Sequence, residues 1–208
     1  MNKSQFQQAA GISAEAAARW FPHIDAAMTE FGIAKPEDQA MFIAQVGHES
    51  ANFCHLVESF NYSVAGLASF VRAGRLTQDQ ANALGRKPGE NALPEERQRA
   101  IANLVYQGRY GNTSASDGWN YRGRGLIQVT FKDNYRACSS ALKKDCVLAP
   151  QLLQQDADAA RSAAWFFASH GCLNRCGDVV AVTKIINGGS NGLEERRAGY
   201  ATAIQALS

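Results

Sequence analysis

Apolar residues recur along most of this chain at the three- and four-residue spacing of a helix face, and alternating apolar–polar runs are short. Ser13 reads as the N-cap of a helix over residues 16–20, and Pro22 fits the first turn of a second one running through Phe31 and stopped at Gly32. Pro36 opens a third helix, whose apolar positions Met41, Phe42, Ile43 and Val46 lead straight into His48 and Glu49. Ser63 caps a helix carrying Val64, Leu67 and Phe70 and ending at Gly74. Thr77 with Gln80 forms a capping box for a short helix, and Pro94 starts another through Ile101, Leu104 and Val105. Residues 107–118 are a loop by composition, and YRGRGLIQVT at 121–130 has too many glycines for a helix interior. Further helices are expected at about 131–142, from Asp156 to near Gly171, over 178–186 closed by Asn187-Gly188-Gly189, and from about Leu193 to Leu207. The pattern predicts an all-α chain with at most a small β-hairpin near 119–130. The polar, loop-rich residues 75–118 read as a small helical lobe inserted into a main lobe of residues 1–74 and 119–208.

Composition narrows the classes. A hydrophobic content of 46% over 208 residues sustains a packed core, which excludes global disorder. The net charge is only +2 and the Lys and Arg residues are scattered, so no nucleic-acid stripe is present. A sequence pI of 8.3 is compatible with an anionic wall polymer and equally with a neutral substrate. The opening MNKSQFQQAAGIS lacks the apolar core of a signal peptide, and no run of about 18 apolar residues offers a membrane anchor. The expectation is synthesis in the cytoplasm, with delivery by a holin-like factor if the target lies beyond the membrane. The cysteine count of five is odd and argues against a full disulfide framework. Cys172 and Cys176 either pair or remain thiols, and no fourth ligand completes a zinc site. No metal and no cofactor are expected.

Two carboxylates stand out. An inverting glycosidase needs two carboxyl groups about 6.5–9.5 Å apart, one protonated and one charged, with water between them. Glu49 and Glu58 are nine residues apart. In a continuous helix that separation is about 13.5 Å of rise and about half a turn of rotation, which puts them on opposite sides. The pair works only if the helix breaks, and the intervening Ser50, Asn52 and His55 permit a break without demanding one. Two solvated surface glutamates are the alternative. His48 fails the zinc-protease spacing, since position 52 is Asn, and reads as a hydrogen-bonded core residue or a support to the site. Gly123 and Gly125 lack the third glycine of a dinucleotide fingerprint. They allow close backbone approach to a ligand, with Gln128 and Thr130 facing the same way from an extended strand. Trp119, Tyr121 and Tyr110 border a polar loop, where aromatics either stack on sugars or pack between lobes. Trp20 and Trp165 read as core, Asn187 as part of a helix C-cap, and Arg196 as one of a solvated pair with Arg197.

In one order, the strings AQVGHES (44–50), ESFNYS (58–63), YRGRGLIQVT (121–130), IINGG (185–189) and ERRAGY (195–200) resemble glycoside hydrolase family 19, the chitinase-like group. The similarity is greatest to its bacterial and phage endolysin branch and spans roughly residues 13–207. The resemblance implies a mainly α, lysozyme-like, two-lobed fold around a cleft and single-displacement hydrolysis with inversion. It implies Glu49 as general acid and Glu58 as general base, with the Thr130 hydroxyl helping to hold the attacking water. It implies a cleft lined by Gln128, Asn187 and Arg196, with His48, Trp119 and Tyr121 as further substrate contacts. On this basis the pKa of Glu49 should be raised by an apolar setting (Phe42, Val46, Phe53) and by Glu58. The cleft-lengthening loops and disulfide spacings of plant chitinases are missing, which favours peptidoglycan glycan strands over chitin and a monomeric wall-lytic enzyme. A lytic transglycosylase and a non-catalytic wall-binding module remain the competing readings.

Overall fold

The computed structural model describes residues 1–175 and 177–208. Cys176, and with it the pairing of Cys172 and Cys176, lies outside the described residues. Among the described residues eleven α-helices follow one another: α1 (Lys3–Ala10), α2 (Ala14–Glu30), α3 (Pro36–Glu49), α4 (Ala68–Arg72), α5 (Gln78–Leu84), α6 (Glu95–Tyr106), α7 (Asp117–Asn120), α8 (Lys132–Leu142), α9 (Asp156–Ser169), α10 (Val179–Asn187) and α11 (Leu193–Leu207). The mainly α class is as the hydrophobic pattern predicts. Among the described residues, β-structure is confined to isolated bridges, two of which join Arg124 to Val57 and to Val129.

Helix boundaries follow local chemistry. The Ser13 side chain accepts the Ala16 N–H, and Thr77 with Gln80 closes a reciprocal capping box on α5. Residues before Gly11, for which the pattern predicts no element, form a helix of their own, α1, started by an Asn2–Gln5 capping box. One expectation is corrected. Pro22 does not begin a helix but lies inside α2. It removes one backbone bond, yet Ala17, Trp20, Ile24, Ala27 and Met28 stay buried along one continuous stripe, and that burial carries the helix through.

The long helices share one core. Helix α3 packs between α11 and α1, while α2 lies against α9. Phe42 of α3 meets Phe167 of α9 edge-on at 5.5 Å, and Phe53 packs on Phe6 and Trp20 at 5.7 and 5.8 Å. A second apolar cluster collects Phe60, Leu67, Leu76, Leu93, Ile101 and Val105, with Trp119 and Tyr106 packed against it. No described helix is long and apolar enough to cross a membrane.

Candidate active site

Helix α3 stops at Glu49 for an identifiable reason. Ser50 is buried, donates its hydroxyl to the Val46 carbonyl at 2.6 Å, and accepts the Phe53 N–H at 2.9 Å. Ala51, Asn52 and Phe53 then all adopt the left-handed conformation, with φ of 48°, 56° and 65°. Such backbone costs roughly 1–2 kcal/mol per non-glycine residue. Burial of Phe53 among Phe6 and Trp20 offsets it. This is the break between the two carboxylates that their spacing required.

Beyond the break the chain runs into a small β-arrangement. Gly125 N–H donates to the Leu56 carbonyl at 2.9 Å, and the Glu58 N–H donates to the Gly123 carbonyl at 2.9 Å. Glu58 is thereby fixed beside Gly123, whose own N–H donates to Glu58 Oε2 at 2.9 Å. The Tyr106 hydroxyl donates to Glu58 Oε1 at 2.7 Å. A side chain at position 123 is not possible without rearrangement: its Cβ would lie 2.6 Å from Gln128 Oε1 and 3.2 Å from Glu58 Cβ. Burial pushes the Glu58 carboxyl above the usual carboxylate range, against the opposing pull of the Gly123 N–H, the Tyr106 hydroxyl and the Arg122 charge. Burial, then the Glu58 charge and hydrogen bond, push the Tyr106 phenol upward.

Glu49 has different surroundings from those expected. Instead of an apolar pocket, Glu49 Oε1 receives the Arg196 guanidinium of α11. Arg196 is 1% exposed, donates also to Gln45 Oε1, and reaches the Asn191 carbonyl at 3.2 Å. It is therefore neither solvated nor open to substrate, but a buried strut that positions Glu49. Phe42 faces Phe167 in the core rather than the carboxylate. His48 is exposed, not core, and its ring fits over Gly192 at the start of α11, where a Cβ would come within 2.1 Å of the imidazole. Asn187 ends α10, accepts the Gly189 N–H at 3.0 Å and approaches the Asn191 carbonyl at 3.4 Å. Gln45, His48, Glu49, Asn187 and Arg196 thus form one group across α3, α10 and α11.

Glu58, Gln128 and Thr130 form the other. Gln128 does not lie on an extended strand: residues 125–128 are a tight turn, Gln128 has φ of 55°, and its amide donates to the Gly125 carbonyl at 2.9 Å. Two-residue facing therefore does not apply, and the Thr130 hydroxyl instead donates to the Gln128 carbonyl at 2.8 Å. A cavity of about 150 Å³ lined by Gln128, Thr130, Asn134, Phe166, His170 and Ile186 extends from this turn to α10. Two predicted sugar contacts belong to neither group. Tyr121 is 6% exposed and gives its hydroxyl to the Val147 carbonyl at 3.2 Å, so it is packing. Trp119 carries the Arg122 guanidinium 3.6 Å from its ring centroid, which occupies the face a sugar would need. Among the described residues, no cluster of three His, Cys, Asp or Glu side chains is arranged to hold a metal ion.

Tyr106 and Gln45 were not legible as site residues. Gln45 had a weak signal, four residues before Glu49 on the same helix face; Tyr106 had none beyond its place at the end of an amphipathic helix. Tyr106→Phe removes a donor to the charged form of Glu58 and so should raise its pKa further. The acid limb of the pH–activity profile is expected to move to higher pH, while circular dichroism stays unchanged. An unmoved limb would uncouple Tyr106 from the titrating group.

The helical frame with two held carboxylates is that of a glycoside hydrolase, and known proteins narrow it further. The family profile described as class I chitinase matches residues 95–205. A glycosyl hydrolase family 19 domain-containing protein of Haemophilus influenzae is 37% identical over 187 residues, covering 85% of this chain and 87% of that protein. Chitinase C from Streptomyces griseus shares the fold at a TM-score of 0.60 with 19% identity, over 99% of this chain and 76% of that one. A bacterial family 19 chitinase does so at 0.57 with 19% identity, over 100% and 94%. This chain belongs to glycoside hydrolase family 19.

Proposed function

We propose that this enzyme cuts the β-1,4 bonds between amino sugars of peptidoglycan as an endolysin-type, monomeric muramidase, by single displacement with inversion. The observation that carries the mechanism is the turn after Glu49, which puts Glu58 on a separate segment locked to Gly123. Glu58 suits the general base. Burial makes it a stronger base than an exposed glutamate, while the Tyr106 hydroxyl and the Gly123 N–H favour its charged form. Glu49 is the proposed general acid: Arg196 positions it through Oε1, and among the described residues Oε2 receives no hydrogen bond. The Thr130 hydroxyl, anchored on the turn, is the candidate to orient the attacking water. The choice of peptidoglycan over chitin and the phage-type role rest on the resemblance to the endolysin branch and on the missing cleft-lengthening loops and disulfide spacings of plant chitinases; passage to the wall by a separate factor is part of the same proposal.

Glu49→Gln is expected to lower lysis of purified walls by about 10²–10⁴-fold with the fold retained, because glutamine cannot donate the proton. Near-normal lysis by a folded variant removes Glu49 from the mechanism. Mass spectrometry of wall digests should show a hydrolysed reducing end, first formed as the α anomer. A 1,6-anhydro end would replace hydrolysis with transglycosylation, and cleavage of chitin oligomers without wall lysis would make the enzyme a chitinase.

A further inference from the structure

The segment that fixes Glu58 also walls a second cavity. It measures about 500 Å³, and its lining includes Arg99, Trp119, Tyr121, Arg122, Arg124 and Leu148. Three guanidinium groups line it, with Glu95 paired to Arg99 and Glu58 within reach of the Arg122 charge. Arg99 takes Glu95 at 2.6 Å. Arg122 donates only to the Trp119 carbonyl, at 2.8 Å, and lies against the indole ring. Arg124 is 5% exposed and donates only to neutral partners, the Asn120 carbonyl and the Tyr135 hydroxyl at 2.9 Å. Among the described residues neither Arg122 nor Arg124 forms an ion pair, and the buried Nε of each has no acceptor.

An unbalanced pair of cations in a desolvated wall is costly unless an anion completes it. The strain is visible in Arg122, which burial and the neighbouring Arg124 charge push down to about 10. The rest of the lining says which anion. Leu148 is 84% exposed at this cavity, an uncommon position for a large aliphatic side chain. Inorganic phosphate would meet the charge and leave Leu148 without a partner. A carboxylate next to a small alkyl group meets both, and arginine matches carboxylate geometry closely.

We propose that this cavity binds the carboxylate of an acylated amino acid, the chemistry that the peptide branches of a wall glycan present. The source of that carboxylate rests on the peptidoglycan reading; the binding itself does not. The test is calorimetric titration of the whole protein at low ionic strength with N-acetyl-D-alanine, N-acetyl-D-alaninamide and inorganic phosphate. N-acetyl-D-alanine should bind, with the amide and the Arg122→Met variant each weaker by about 10–100-fold, the range for charge-assisted hydrogen bonds. Leu148→Ser, at an exposed position that does not threaten folding, should weaken N-acetyl-D-alanine and leave phosphate unchanged. Equal binding of amide and carboxylate, preference for phosphate, no binding of either anion, or indifference to both substitutions would each overturn the proposal. None of these readouts needs hydrolysis. A protein that binds N-acetyl-D-alanine yet leaves walls intact would refute the substrate reading and keep the site.

Discussion

Glu58→Gln should abolish most glycan hydrolysis, by about 10²–10⁴-fold, and at the same time raise the melting temperature at neutral pH. The loss of activity follows from removing the proposed base. The gain in stability follows from linkage. The folded-state pKa of Glu58 is raised above its unfolded value, chiefly by burial, so the folded protein binds this proton more tightly than the unfolded chain does. The associated stability is fully present below the unfolded pKa and is lost as pH rises through the folded one. Glutamine mimics the protonated form and retains it. Its carbonyl can accept the Gly123 N–H, and its amide can donate to the Tyr106 hydroxyl, which turns to accept. Calorimetry at pH 7 and below about pH 4 separates the terms, because the stabilisation should vanish at the acid end. A variant less stable at neutral pH would mean that the two hydrogen bonds outweigh burial.

Arg196→Met should cost about 3 kcal/mol, the lower end for breaking a buried ion pair, together with most of the activity. Arg196 is 1% exposed and Gln45 fully buried, so the Gln45 carbonyl oxygen loses its charged donor with no water to replace it, while the exposed Asn191 can turn to solvent. Glu49 is half-buried and partly rehydrates, which keeps the loss below the upper end of that range. For a domain of this size the expected fall in Tm is about 6–12 °C. Arg196→Lys restores the charge near Glu49 without the fork to Gln45. A positioning role predicts that the lysine variant recovers part of kcat and shifts the pH profile, whereas a merely structural role moves Tm alone. Full activity in a folded methionine variant would show that Glu49 needs no strut.

How far the chain could be read in advance varied with the range of the interaction that decides each feature. Caps act over three residues, so Ser13, Thr77 and Gln80 were legible. The Asn2–Gln5 box is equally local, but it opens a helix of only eight residues with two buried positions, Phe6 and Ala9, too few for a clear apolar stripe. Pro22 misled because its local cost is offset by the burial of Ile24 and Met28, which a sequence window does not contain. The requirement for a break after Glu49 was deducible from helix geometry alone. Its device, three left-handed residues with no glycine among them, was not, since Phe53 is held there by Phe6 and Trp20 from elsewhere in the chain. Motif matching brought out Glu49, Glu58 and Arg196 but could not tell a residue that faces substrate from one buried behind it. That distinction depends on Gln45 and Asn191 filling the remaining donors of Arg196.

The dependence of Glu49 on Arg196 also bears on when activity arises during synthesis. Chains fold from the N-terminal side as they emerge. Helix α3 carries Glu49 early, and its partner α1 precedes it in the chain, whereas α9, the Asn174 N–H that donates to Asp38, and α11 all come later. The guanidinium that holds the carboxylate arrives on α11, the final helix, which also covers the α1 and α3 faces. Until it docks, Gln45 has no charged partner and Glu49 is a mobile surface side chain. Docking of α11 therefore completes the setting of Glu49: a chain in which it has not docked has both carboxylates but leaves the proposed acid unanchored. A chain cut after Asn187 would be soluble only with difficulty and catalytically silent, even though every residue proposed to touch the glycan is still present.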